Sequence, residues 1–228
     1  MATENGIKSK ENVKDFGEVF TPDSIVNDML TLVDNALKEE NITPEQYIMK
    51  TYLEPSCGDG QFLVRILDRK LACIKLHIPK EQHELALIKA LTTIYGVDIQ
   101  NINVQTSKRR MLELIKTGTT KTFDLANKEI KSFTNLELEI TPDLERVIQY
   151  ILDKNIVCGD TLGKSNTQEV LLTEFTWQGE QVLQKKYALS NLDIEQNFGR
   201  VDYMDYRNLG LNTEEDEEDS DELSLDDF

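Results

Sequence analysis

Apolar positions recur along the chain with two periods. Ile25, Met29, Leu32, Val33 and Leu37 follow helical spacing. So do Phe62, Leu63, Ile66, Leu67, Leu71 and Ile74, then Leu85, Ile88 and Leu91, then Val104, Met111, Leu112 and Ile115, and last Leu144, Val147, Ile148 and Ile151. Between these blocks lie short runs of β-branched and aromatic residues around Tyr52-Leu53, Thr93 to Ile99 and Asn155 to Asp160. Each reaches an acid: Glu54, Asp98 and Asp160. Polar signals mark the helix starts. Thr21-Pro22-Asp23 offers an N-cap, a proline for the first helical position and an acid for the positive helix end. Thr43-Pro44-Glu45-Gln46 has the form of a capping box, and Thr141-Pro142-Asp143 opens another helix. Helices are expected from Gln61 to about Leu76, over Lys80 to Thr92 beyond Pro79, and from Asn101 to Lys116.

Strands alternating with helices predict an α/β fold, with a mostly parallel sheet carrying helices on both faces. Ligands bind beyond the carboxyl ends of such strands, where Glu54, Asp98 and Asp160 would sit. Residues 117–136 are polar and poorly periodic. Past Leu162 the pattern weakens to Val170-Leu171-Leu172 and Val182-Leu183, with Phe175 and Trp177 expected to pack on the sheet.

The chain has 228 residues, enough for one domain with a core, and is 39% apolar and 29% charged. No apolar run reaches membrane-span length and Met1 to Lys14 has no signal-peptide core, so a cytoplasmic protein is expected. The three cysteines form no C-x-x-C pair, and no metal site is expected. His77 and His83 read as solvated. Net charge is −17, and Thr213 to Phe228 holds ten acids and no bases, leaving −7 for the rest. Residues 1–14 read as a flexible arm, 15–212 as the α/β domain and 213–228 as a disordered acidic tail. No basic stripe for nucleic acid stands out. Lys108-Arg109-Arg110 and Lys185-Lys186 read as solvated faces.

The most informative stretch is Tyr52 to Leu63: a strand that Pro55 ends, a loop with Gly58 and Gly60, then a helix. Glycine leaves no side chain between backbone and ligand, and the helix start points free N–H groups at the loop. Asp98 lies 38 residues after Gly60, where a carboxylate can accept two hydrogen bonds from a ribose diol. Asp160 is placed to accept one from the exocyclic amine of adenine. In the G-x-G-x-x-G dinucleotide pattern the third glycine would be Leu63, and Asp59 would repel a pyrophosphate. S-adenosyl-L-methionine, an adenosine cofactor without phosphate, fits better.

Phe20-Thr21-Pro22, Leu53-Glu54-Pro55-Ser56-Cys57-Gly58-Asp59-Gly60-Gln61-Phe62-Leu63, Tyr95-Gly96-Val97-Asp98-Ile99 and Ile156-Val157-Cys158-Gly159-Asp160-Thr161-Leu162 together resemble N6-adenine-specific DNA methyltransferases of restriction–modification type. The resemblance covers residues 16–162 and implies a Rossmann-like S-adenosylmethionine-dependent fold. It implies that Thr21 and Pro22 border the methionine end of the cofactor. Glu54, Pro55, Ser56, Gly58 and Gly60 would form the main loop. Asp98, with Ile99 beside it, would hold the ribose, and Asp160 the adenine amine.

The family's catalytic [Asn/Asp/Ser]-Pro-Pro-[Tyr/Phe/Trp] element, whose polar groups and ring hold a flipped base, has no counterpart. The five prolines, at 22, 44, 55, 79 and 142, are never adjacent and none follows Asp160; Ser190-Asn191-Leu192-Asp193 is the nearest by position. Catalytic residues are therefore unassigned. Three readings stay open: a small DNA adenine methyltransferase of a restriction–modification, phage or mobile-element system; an inactive methyltransferase-like module that binds the cofactor and acts through a partner protein, such as the other half of a split methyltransferase or a restriction complex; and methylation of a small molecule or protein. The acidic tail either mimics DNA or aids solubility.

Overall fold

The computed structural model describes residues 21–123, 128–163, 169–196 and 202–211. Phe20, the expected arm at 1–14 and the expected tail at 213–228 lie outside these.

Two helices, α1 (Asp23–Glu39) and α2 (Pro44–Ile48), precede strand β1 (Tyr52–Glu54). The chain continues through α3 (Gln61–His77), α4 (His83–Leu91), β2 (Ile94–Asp98) and α5 (Asn101–Thr117). A hairpin of β3 (Thr119–Phe123) and β4 (Lys128–Ser132) leads to α6 (Pro142–Asn155) and β5 (Ile156–Cys158). Strands β6 (Leu171–Gln178), β7 (Gln181–Ala188), β8 (Asn191–Gln196) and β9 (Met204–Asp205) follow, and a 3-10 turn at Tyr206–Asn208 comes last.

Local chemistry sets most of these boundaries as expected. Thr43 and Gln46 form the reciprocal capping box of α2, and the Thr141 side chain accepts from the Leu144 N–H at the start of α6. Thr21 is a correction. The N-cap of α1 is Pro22, with no side-chain cap bond. Asp23 instead takes two bonds from Arg65 of α3, at 2.6 Å from Nε and 2.5 Å from Nη2. Asp23 shares a helix face with Val26 and Leu30, so this buried pair turns that stripe inward. Ile25, Met29 and Leu32, part of the expected apolar face, stay exposed among the described residues.

The central sheet is parallel, in the order β1-β2-β5, with Leu53 opposite Tyr95 and Val97 opposite Val157. This bears out the α/β class. The expectation of helices on both faces needs correction. Gly96 faces Leu63 of α3, so closely that a Cβ there would lie 2.8 Å from its Cδ1. On the other face Tyr95 and Val97 pack against Val170 and Leu172, and the Tyr95 hydroxyl donates to the Thr173 carbonyl at 2.9 Å. That cover is an antiparallel meander, β6-β7-β8, with β9 also paired to β7. Sequence reading missed it, and missed the β3–β4 hairpin within the polar stretch 117–136. His83 is a further correction: it is buried, with Nε2 3.0 Å from the Ile78 carbonyl oxygen, because it begins α4 on the helix's inner face.

Candidate cofactor site

The loop between β1 and α3 is braced from beneath. Cys57 N–H bonds to the Val97 carbonyl at 2.9 Å, and the Ser107 hydroxyl of α5 donates to the Gly58 carbonyl at 3.0 Å. Its two glycines have different reasons to be glycine. Gly60 has φ +86° and forms the N-cap of α3; a Cβ there would lie 2.8 Å from Ser107 Oγ and 3.0 Å from Ser107 Cα. Gly58 has φ +53°, and nothing lies within 4 Å of where its Cβ would be. One glycine lets α5 approach; the other leaves open space in front of the loop.

Asp98 lies at the carboxyl end of β2 and is buried. Its Oδ2 accepts from Gly58 N–H at 2.9 Å; its Oδ1 accepts from Gln100 N–H at 2.9 Å and Asn103 Nδ2 at 3.1 Å. Three of about four acceptor directions are used, which leaves one on Oδ2. A ligand hydroxyl would therefore find one open direction there, not two.

Asp59 corrects a sequence argument. Its carboxylate points inward, buried, with Oδ1 2.9 Å from Nη1 of Arg110. Nη1 of Arg110 also donates to the Asp59 carbonyl, and Nη2 to Gln61 Oε1, both at 2.8 Å. Asp59 does not face a ligand and would not repel a phosphate. The case against a dinucleotide then rests on Leu63, fully buried under β2. Arg110, expected on a solvated face with Lys108 and Arg109, is only 4% exposed. Its signal was its phase: Ser107, Arg110 and Leu114 share the inner face of α5 with Val104 and Met111.

Glu54 is half-buried at the end of β1. Burial raises its carboxyl above the ordinary range, opposed by a bond from Ser56 N–H at 3.3 Å. Burial, and then the nearby Asp98 charge, push the Cys57 thiol up to about 12, so it is no nucleophile near neutral pH. Pro55 and Ser56 are exposed. The end of β5 is tied to the end of β2 by a bond from Gly159 N–H to the Asp98 carbonyl at 3.0 Å. Asp160 Oδ1 accepts from Leu162 N–H at 2.9 Å. Ile99 and Leu162 stand 52% and 72% exposed beside these ends. Thr21 and Pro22 are linked to the loop through Asp23, whose Oδ1 accepts from Gln61 Nε2 at 3.4 Å. Ser190-Asn191-Leu192-Asp193 proves to be the turn into β8 and that strand's start, not a loop beyond the parallel sheet.

Compared with family models, curated proteins and solved structures, the chain matches none.

The geometry thus joins Gly58 and Asp98 directly, with Gly60 in the same loop and Glu54 at the end of the adjacent strand, and ties the β5 end that leads to Asp160 to Asp98. Asp23, Gln61, Asn103, Ser107 and Arg110, not foreseen as site residues, hold the loop. No helix among the described residues is long and apolar enough to cross a membrane.

Proposed function

We propose that this chain binds S-adenosyl-L-methionine and serves DNA adenine methylation, in the manner its motifs resemble. One observation carries the reading. A buried strand-end carboxylate, Asp98, receives the N–H of Gly58, and the loop is left open in front of that glycine. The acceptors suit a ribose and a base more than a phosphate: Asp98 keeps one acceptor direction for a ribose hydroxyl. Ile99 and Leu162 offer apolar surface for an adenine ring, and Asp160 an acceptor for its amine. Glu54 would lie near the ammonium end of the cofactor, with Thr21 and Pro22 as its border. S-adenosylmethionine would supply an electrophilic methyl group on a sulfonium; the chain's own residues bind, orient and exclude water.

A second reading, a cofactor-binding module that acts through a partner protein, is favoured by one specific feature. The chain has no adjacent prolines and none after Pro142, so it has no base-holding turn of the family's form. Cofactor binding is common to both readings. Titration calorimetry with S-adenosylmethionine is expected to show binding that Asp98→Ala weakens at least tenfold, about 1.4 kcal/mol. No heat of binding in the wild-type chain sinks both readings. Transfer of labelled methyl groups to adenine in DNA by the chain alone selects the first; binding without transfer selects the second.

A further inference from the structure

The parallel sheet winds in one direction only. From β1 the chain crosses to β2 and then to β5, each new strand added on the same side. Open α/β sheets hold ligands where the winding reverses, because the crevice opens between strands whose connections leave in opposite directions. Among the described residues no strand pairs with the other edge of β1, so no such reversal exists.

Among the described residues that edge is open in hydrogen-bonding terms too. Tyr52 N–H bonds to the Thr93 carbonyl at 2.9 Å, which directs the Tyr52 groups toward β2. Alternation along a strand then directs the N–H and C=O of Leu53 to the open side. The Leu53 side chain is 40% exposed in mid-strand. It lines a cavity of about 370 Å³ with Tyr95, Leu172, Glu174 and Tyr187. A neighbouring cavity of about 550 Å³ shares Thr51, Tyr95 and Glu174 with it, so the two adjoin beside the start of β1.

We propose that the open edge of β1 takes an extended segment of a basic partner protein, added as a parallel strand with apolar side chains in the Leu53–Leu172–Tyr187 hollow. Unpaired strand edges recruit strands, with main-chain bonds giving affinity and alternate side chains filling pockets. Charge selects the occupant. The chain carries −17, so a second copy is repelled, whereas a lysine- or arginine-bearing segment is attracted. A parallel strand there creates the missing reversal. It sets the residues that follow the partner's strand beside Glu54 and the Pro55–Gly60 loop. The inference stands on strand pairing and not on cofactor binding, and its readout is separate from calorimetry with the cofactor.

The test is amide hydrogen exchange on the full chain, with a synthetic peptide of alternating valine and threonine flanked by lysines. In the free chain the Tyr52 amide is expected to be protected and the Leu53 amide to exchange freely. Saturating peptide is expected to slow Leu53 exchange at least tenfold, with weaker binding at higher salt. Leu53→Pro removes the outward donor and the leucine side chain at the hollow while leaving the Tyr52 bonds to β2, a change edge strands tolerate. It is expected to keep the wild-type melting temperature within a few degrees and, because it has no amide at position 53, is read by fluorescence anisotropy of the labelled peptide, whose binding is expected to be lost. Four results each overturn the proposal. These are a Leu53 amide already protected in the monomer, as when the chain's own residues fill the edge; a dimer that Leu53→Pro dissociates; no protection by the peptide; and equal protection by a glutamate-flanked peptide.

Discussion

Two buried charges show how single side chains hold the candidate site in place. Asp59 and Arg110 form an ion pair under the loop, out of solvent on both sides. Arg110→Ala is expected to destabilise the chain by about 3–5 kcal/mol in denaturant titration, because a buried carboxylate loses its cation. Replacing both, as Asp59→Leu with Arg110→Met, is expected to recover most of that loss. Lys70 is fully buried on α3, with Nζ 2.6 Å from each of the Ile48 carbonyl, the Lys50 carbonyl and Thr93 Oγ1. Burial pushes its ammonium down from 10.5 to about 7, with the nearby Cys73 thiol pulling the other way. An unfolded lysine keeps its ordinary affinity, so between pH 7 and about 10 unfolding takes up a proton and stability rises with pH. In Lys70→Met that slope is expected to flatten in unfolding curves taken across the window. Overall stability is expected to fall by about 1–3 kcal/mol as the three acceptors lose their donor. Neither role was legible beforehand. Composition marks Lys70 and Arg110 as ordinary cations, and only their place on the apolar phase of α3 and α5 distinguishes them.

The elements around the loop were largely legible. Pro55, Gly58 and Gly60, the capping box at Thr43 and the caps at Thr141 and Pro142 each carry a local backbone reason that tertiary context did not override. What eluded the sequence was orientation. Five apolar residues at helical spacing identified α1, yet the Asp23–Arg65 pair turns Val26 and Leu30 inward instead, a choice made by residues 42 apart. The meander after Leu162 had a weaker signal: alternation from Leu171 to Trp177 and a glycine turn at Gly179, φ +64°. The loop glycines yield a paired prediction. Gly60→Ala, pressed against the Ser107 backbone, is expected to destabilise by more than 1 kcal/mol. Gly58→Ala meets no protein atom, so its effect on melting is expected to be smaller than that of Gly60→Ala. Its effect on S-adenosylmethionine affinity is expected to be the larger of the two.

The molecule as a whole joins a half-wound parallel sheet to an antiparallel cover and bears a strong negative charge. Sequence periodicity gave the three parallel strands their order along the chain. It could not give the side on which each crossover lands, because handedness belongs to the twist of the assembled sheet. The charge makes a prediction about kinetics. Deleting residues 213–228 takes the net charge from −17 to −7. Association with the lysine-flanked peptide is expected to slow and become less salt-dependent, as measured by stopped flow at two ionic strengths. An unchanged rate would assign the steering to the α/β body.

The bond from Gly58 N–H to Asp98 has a thermodynamic consequence. The carboxylate proposed to meet the ribose already pins the loop before any ligand arrives. Binding then spends little conformational freedom, and its entropy term is small compared with that of a site whose loop must freeze on contact. Asp98→Ala removes the pin along with the contact. The variant is therefore expected to bind with a more unfavourable entropy, beyond the enthalpy of one lost hydrogen bond, and its free loop to show faster amide exchange at Gly58.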